Sequence, residues 1–436
     1  MTSTHAPGAA VTDNRRMARI AAASTIGTII EWYDYNLFAT ASALVFPHLF
    51  FPQFSPVAGA LASFATFFVA FAARPVGAAI FGHYGDRAGR KATLLVTLLM
   101  MAISTMVIGV LPPYSVFGIA APVLLVLSRL VQGVALGGEW GGAVLLALEH
   151  GPKDKRGLFG SLPQIGSPAG TLAASGSVAL FGLITGAAFT SWGWRLPFLV
   201  SVLLAAVGMF IRVRVSESPE FARAEAEGRV LRQPLVTVLK QSWRRIVLAM
   251  GARIGVDVAF YTFSTYSLSY LTDYVKGVSH ETGLVAVLIA SALEMCTVPL
   301  YGRLSDRIGR KPLMLTGIAF LGIWAFPLFW ILHSGSPVLI VVAVSIALAI
   351  GHGLAWSIMG VFFPELFDAN VRYTGASLAF QFAGIFGGGP APFIATLIAA
   401  TSLGWVGIGF YVLAACLLSF VCCAVIPETR REAAAG

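Results

Sequence analysis

The chain has 436 residues, of which 57% are hydrophobic and only 11% charged, with a mean hydropathy of +0.81. Soluble domains carry about 25% charged residues, so this balance excludes a soluble globular enzyme or binding module and points to a membrane protein. The net charge of +9 raises nucleic acid as a partner, and the placement of the basic residues decides against it.

Residues 1–18 form a polar tail whose first 14 residues read as disordered. Apolar segments of membrane-spanning length, each needing about 20 residues, then recur twelve times. They lie at roughly 20–45, 57–82, 92–111, 119–147, 158–185, 194–214, 246–271, 282–302, 312–333, 337–362, 373–399 and 405–426. Period-two alternation is absent, so the segments are helices and not strands of a barrel. The first is too long for a cleavable leader and continues as a span. Cys296, Cys416, Cys422 and Cys423 sit in or at the ends of spans without a CxxC pattern, which suits packing better than a metal or redox role.

Of the 29 Lys and Arg, Arg74, Arg129 and Arg253 fall inside spans. Only Arg195 and Lys276 belong to one set of alternate loops, and all the rest belong to the other. The positive-inside rule makes the basic side cytoplasmic, with both termini on it. The basic residues therefore set topology, and no nucleic acid is expected as a partner. The longest polar segment, 215–244, separates two halves of six spans, 19–214 and 245–428, and a short tail, 429–436, ends the chain.

Two loops repeat. GHYGDRAGRKATLL (82–95) follows the second span, and GRLSDRIGRKPLML (302–315) follows the eighth, about half a chain length later. The shared pattern G-x-x-x-D-R-x-G-R-K indicates duplication of a six-span unit. Gly82 and Gly89 permit a tight turn and close helix approach. Asp86 can accept from helix N-terminal N–H groups or pair with an arginine, while Arg87, Arg90 and Lys91 belong at the headgroup level. Gly302, Asp306, Arg307 and Arg310 stand at the matching places of the second loop.

Eight charged residues stand deep in spans: Glu31, Asp34, Arg74, Arg129, Glu139, Arg253, Asp257 and Glu294. Each costs about 2.5–3.5 kcal/mol at the bilayer centre, so they are expected to face the interior of the bundle. Anions outnumber cations, and reversible protonation of a carboxylate relieves the excess. Glu31 and Asp34, at i and i+3 in GTIIEWYDYNLF, share one face, and Asp34 is the preferred proton carrier with Glu31 second. Depth along each span predicts two layers, Glu31 and Glu139 around Arg74, and Asp34 facing Arg129 further in. Arg253 and Asp257, at i and i+4, can pair with each other. Glu294 has no partner by helical spacing, and His352 reads as a packed, hydrogen-bonded histidine.

The repeated loop, RLVQGVALGGEWGGA (129–143) in span four and GSPAG (166–170) in span five resemble the motifs of the major facilitator superfamily. More narrowly, GTIIEWYDYNLF, FAARPVGAAIFGHYGDRAGRK, SWGWRLPF and PELFDANVRYTGAS resemble the metabolite:proton symporter family, whose members carry shikimate, α-ketoglutarate, citrate, or proline and betaine. The resemblance covers essentially the whole chain. It implies an all-α integral membrane protein of twelve transmembrane helices in two six-helix bundles, with both termini cytoplasmic, multi-pass in a bacterial inner membrane and working as a monomer. The implied activity is symport of a small organic acid with protons by alternating access, driven by the proton gradient without cofactor or metal. The anion would bind near Arg129 or Arg253, with Asp257, Gln164, Gln381 and Tyr35 as further substrate contacts. Asp86, Arg90, Asp306 and Arg310 would form cytoplasmic latches, joined by Glu365 and Arg372. A zwitterion symporter or proton-coupled exchanger is the alternative, and a non-transporting sensor is a weaker one, since no soluble signalling domain accompanies the spans.

Overall fold

The structure is a computed structural model that describes residues 7–88, 90–138, 140–214, 234–278, 280–368 and 371–430. Among these every regular element is helical. In the N-terminal half, α1 (Pro7–Leu44), α2 (Pro56–Ala88), α3 (Arg90–Val110), α4 (Ala120–Gly137, continued by Trp140–His150), α5 (Gly166–Thr185) and α6 (Arg195–Arg214) are the long elements. In the C-terminal half they are α7 (Trp243–Tyr274), α8 (His280–Ile308), α9 (Arg310–Leu332), α10 (Pro337–Glu365), α11 (Arg372–Phe386) and α12 (Gly404–Val425). Nine helices among the described residues are long and apolar enough to cross a membrane. Two shorter apolar helices and α1 bring the set into register with the twelve predicted spans. Helix is the natural outcome here, because a lipid-facing backbone must satisfy its own N–H and C=O groups. α1 continues back to Pro7, into the segment read as a polar tail. Of the predicted linker, 215–233 lie outside the described residues, and Pro234–Gln241 form a short helix.

Large apolar side chains point outward, among them Leu183, Ile119 and Val338. In water such a surface would aggregate; in lipid it is the solvated face. Inside the N-terminal half, α2 packs on α4, α1 on α5 and α3 on α6. In the C-terminal half α12 packs on both α7 and α9. The halves meet through α5 against α8 and α2 against α11.

The α2–α4 contact depends on Gly133 and Gly137. A Cβ at Gly137 would lie 2.0 Å from the Arg74 carbonyl oxygen, and one at Gly133 would lie 2.2 Å from the Ala70 carbonyl oxygen. Both obstacles are backbone, so neither side can yield without separating the helices. Gly137→Val is therefore expected to cost at least about 1–3 kcal/mol by overpacking. A lowered unfolding temperature of the detergent-solubilised protein checks it, and an unchanged one would show that α2 and α4 do not pack this closely.

Two helices break regularity near the midplane. α7 contains a π-helical turn at Thr262–Tyr266, and α10 contains one at Ala347–His352. Such turns insert an extra residue, rotate the following helix and occur often at functional sites. Here they adjoin Tyr261 and end on His352.

Candidate substrate and proton site between the two halves

Tyr35, on the inward face of α1, is the centre of the site. Its ring lies between two buried guanidinium groups, Arg74 at 4.4 Å and Arg129 at 5.3 Å from the ring centroid. Arg74 also stacks on Phe71 at 4.3 Å, and Arg129 on Phe38 at 3.8 Å. A cation over an aromatic face gains about 0.5–2 kcal/mol, which holds these side chains in the bundle without neutralising them. Tyr261 of α7 completes the cage, its ring 6.1 Å from that of Tyr35.

The polar atoms of this cage are only partly engaged. Arg129 donates through Nη1 to Gln132 Oε1 at 2.7 Å, and Gln132 donates in turn to Thr105 Oγ1 at 2.7 Å. Arg129 Nε and Nη2, Arg74 Nε, and the Tyr35 and Tyr261 hydroxyls are buried without a hydrogen-bond partner in the protein. Buried donors left unmatched are uncommon in native proteins, because each costs about 1–3 kcal/mol. A group of them around one ring suits an anionic or hydroxylated guest.

Asp34 is almost fully buried, at 2% exposure. It faces the Thr105 and Ser201 side chains and feels the charge of Arg129. One of its oxygens, Oδ1, has no hydrogen-bond partner in the protein. The predicted Asp34–Arg129 neighbourhood is thus present, but the direct side-chain partner of Arg129 is Gln132. Thr105 links the two, since it lies beside Asp34 and accepts from Gln132. Glu31 and Arg74 line a small cavity with Trp32, Tyr35, Leu136, Trp140, Phe380 and Gln381. Glu139, the third member of the predicted outer layer, lies outside the described residues.

In the C-terminal half, Arg253 and Asp257 pair as their spacing predicts, Nε to Oδ2 at 3.0 Å, with both side chains buried. Arg253 is further held by the Phe380 carbonyl at 2.5 Å and stacks on the Phe380 ring at 3.2 Å. It is far more committed than Arg129. Gln164 and Gln381 bridge the halves: Gln164 donates to the Trp356 carbonyl at 3.0 Å, and Gln381 reaches the Leu136 and Gly137 carbonyls at 3.4 Å. Gln164 Oε1 also accepts from Trp140 Nε1 at 3.2 Å, and the Trp356 indole donates to the Gln164 carbonyl at 2.9 Å. Apart from the Trp140–Gln164 bond, which lies within the N-terminal half, these bonds join one half to the other.

One expectation is corrected. Glu294, which has no partner by helical spacing, meets His352 Nδ1 through Oε1 at 2.5 Å. The partner lies on α10, 58 residues away, a separation that spacing along one helix cannot display. The reading of His352 as packed and hydrogen-bonded holds.

The end of the bundle that bears the basic residues is closed. Asp306 accepts from the Gly157 and Leu158 backbone N–H groups at 2.7 and 3.1 Å and pairs with Arg310 at 3.1 Å. Both expected uses of the motif aspartate are realised at once. Gly302 abuts Gly157, leaving no room for a Cβ on either. Arg310 reaches Glu365 at 3.4 Å, and Thr429 donates to Glu365 at 2.6 Å. Glu428, a residue no motif singled out, accepts from the Arg310 and Lys311 backbone N–H groups at 3.0 Å each. Arg372 donates to the Pro364 and Phe367 carbonyls, so it fixes the end of α10. Arg307 is exposed, and its carbonyl accepts from Arg430. Gly82, Asp86, Arg87 and Arg90 lie outside the residues whose side chains are described.

Comparison with known proteins agrees with this architecture. The model of the Major Facilitator Superfamily matches residues 19–391. The inner membrane metabolite transport protein YhjE of Escherichia coli K12 is 42% identical over 95% of this chain and 95% of its own length. The shikimate transporter of the same strain is 38% identical over 95% and 96%. Its proline/betaine transporter is 31% identical over 98% and 86%. Among solved structures, the D-xylose-proton symporter superposes with a TM-score of 0.72 over 94% of this chain and 98% of that one, at 19% identity, a likeness of fold. By the match of that family model over most of its length and by these relatives, the chain belongs to the major facilitator superfamily and is a membrane transporter, not an enzyme.

Proposed function

We propose that this chain couples uptake of a small organic acid to entry of protons, as a monomer in a bacterial inner membrane. The observation that carries the reading is the cage around Tyr35, where Arg74 and Arg129 present unmatched guanidinium nitrogens beside a buried carboxylate. The acid's carboxylate would accept from Arg129 and Arg74, with Tyr35 and Tyr261 donating to further oxygens. Asp34 would bind a proton from the outside, which removes its competition with the substrate for the field of Arg129. Loading both sites lets the halves rock about the midplane, the movement expected of paired bundles. The name of the shikimate transporter supports an acid as the cargo, and that of the proline/betaine transporter supports the zwitterion alternative.

Uptake by cells with and without the protein, across shikimate, α-ketoglutarate, citrate, proline and betaine, tests the reading when recorded with proton entry. Accumulation of an acid with proton entry is expected; preference for proline or betaine would establish the zwitterion alternative. Arg129→Gln is expected to raise KM for the acid about 10- to 100-fold, since a hydrogen bond to a charged group contributes about 1.5–3 kcal/mol. An unchanged KM would move the anion site to Arg253.

A further inference from the structure

The paired carboxyl and imidazole of Glu294 and His352 have no role in the mechanism above. We propose that they form a second proton-binding site, in the C-terminal half and separate from Asp34. Both side chains are buried, at 0% and 2% exposure. An oxygen and a ring nitrogen 2.5 Å apart would repel through their lone pairs unless a proton lies between them. The second carboxylate oxygen, Oε2, is buried without a hydrogen-bond partner in the protein, as is the neighbouring Ser291 hydroxyl. The pair is therefore not a saturated structural bridge: it retains an acceptor for another proton. Position is enforced by the backbone, since Thr297 ties α8 to the Ala349 carbonyl at 2.8 Å, within the π-helical turn that ends on His352.

The charges around the pair favour reversible protonation. From α7, Asp257 lies within electrostatic reach of His352 and is itself paired with Arg253. The Phe260 ring covers the imidazole at 4.5 Å. Tyr301 of α8 reaches Gly353, next to His352. α5 and residues 312–332 of α9 contain no acidic or basic residue, and the acidic residue of α10, Glu365, lies at its far end. With Arg253, Asp257 and Glu294 ionised and His352 neutral, these four buried side chains carry one surplus negative charge, with Arg74 of α2 the further cation acting on Arg253 and Asp257. One proton on the pair removes that surplus, and its release restores it.

The ring stack supplies a direct readout. The His352 imidazole lies 5.4 Å from the Trp356 indole at 21°, and a protonated imidazole quenches the fluorescence of a stacked indole. The full-length protein in lipid nanodiscs, without substrate, is expected to show a tryptophan component that dims on acidification. His352→Gln and Trp356→Phe should each abolish that component. Glu294→Gln preserves shape but removes the carboxylate charge, and should move the midpoint. Asp34→Asn should leave the component in place. Identical titrations in wild type and His352→Gln, an unmoved midpoint in Glu294→Gln, or loss of the component in Asp34→Asn would each overturn the site. Because no substrate is used, these outcomes stand apart from success or failure of the uptake measurements.

Discussion

Asp34→Asn is expected to abolish uphill accumulation while sparing exchange of substrate across the membrane. The substitution keeps the size of the side chain and its reach to Thr105 and Ser201, so the fold around it should survive. What it removes is the ability to alternate between charged and neutral forms. A carrier moving one proton with a monoanion gains about tenfold accumulation per unit of pH gradient. The Asn variant should fall to passive equilibration, because its neutral side chain mimics the protonated state permanently. Counterflow of labelled against unlabelled substrate needs no proton release and should persist. Accumulation at the wild-type level by the variant would remove Asp34 from the coupling step and leave Glu31 as the candidate.

The second large effect is expected at Asp306, if it serves as the cytoplasmic latch that the repeated loop implies. Asp306→Asn retains one acceptor oxygen but turns an amide NH2 toward the Leu158 or Gly157 N–H, and it leaves Arg310 with Glu365 alone. Hydrogen bonds to a charged group contribute about 1.5–3 kcal/mol, and each 1.4 kcal/mol is tenfold in an equilibrium constant. The balance should thus shift about 10- to 100-fold toward the inward-open form. Ser161, buried beside Gly302 in the closed form, is a suitable reporter. As Ser161→Cys, in a background lacking the native cysteines, it should react faster with a membrane-impermeant maleimide applied from the cytoplasmic side. Equal labelling with and without Asp306→Asn would show that the latch does not set the resting state.

Much of the architecture was legible in the residues because lipid imposes a blunt constraint. A span must be apolar, of fixed length and free of unpaired charge, so the segments and their buried exceptions stand out. The predicted span at 194–214 coincides with α6 to within a residue, and the Arg253–Asp257 pair followed from its i, i+4 spacing. Contacts between helices were not legible. Glu294 and His352 meet because α8 and α10 cross where a π-helical turn rotates α10, and no periodicity within either helix reports that crossing. Likewise, the resemblance offers Gln164 and Gln381 as substrate contacts, but their carbonyl partners on the opposite half are invisible as residue types, since any residue carries a carbonyl. Glu428 was missed for a third reason: it lies beyond the last span, where an acidic residue needs no explanation until α9 is seen to begin beneath it.

The bonds that Gln164, Trp356, Gln381 and Tyr373 make across the two halves have a mechanical consequence. All four are neutral side chains bonded to backbone carbonyls, Tyr373 to that of Gly138 at 3.1 Å. A neutral hydrogen bond contributes about 0.5–1.5 kcal/mol, whereas breaking a buried ion pair costs about 3–5 kcal/mol. The central seam can therefore open stitch by stitch, each step within reach of thermal motion. At the rim the fastening carries charge, since Asp306 accepts there from the Gly157 and Leu158 N–H groups of the other half, and water and salt soften it as it opens. A transporter stitched this way resists leaking while it rests, yet meets no tall barrier in the middle of its stroke.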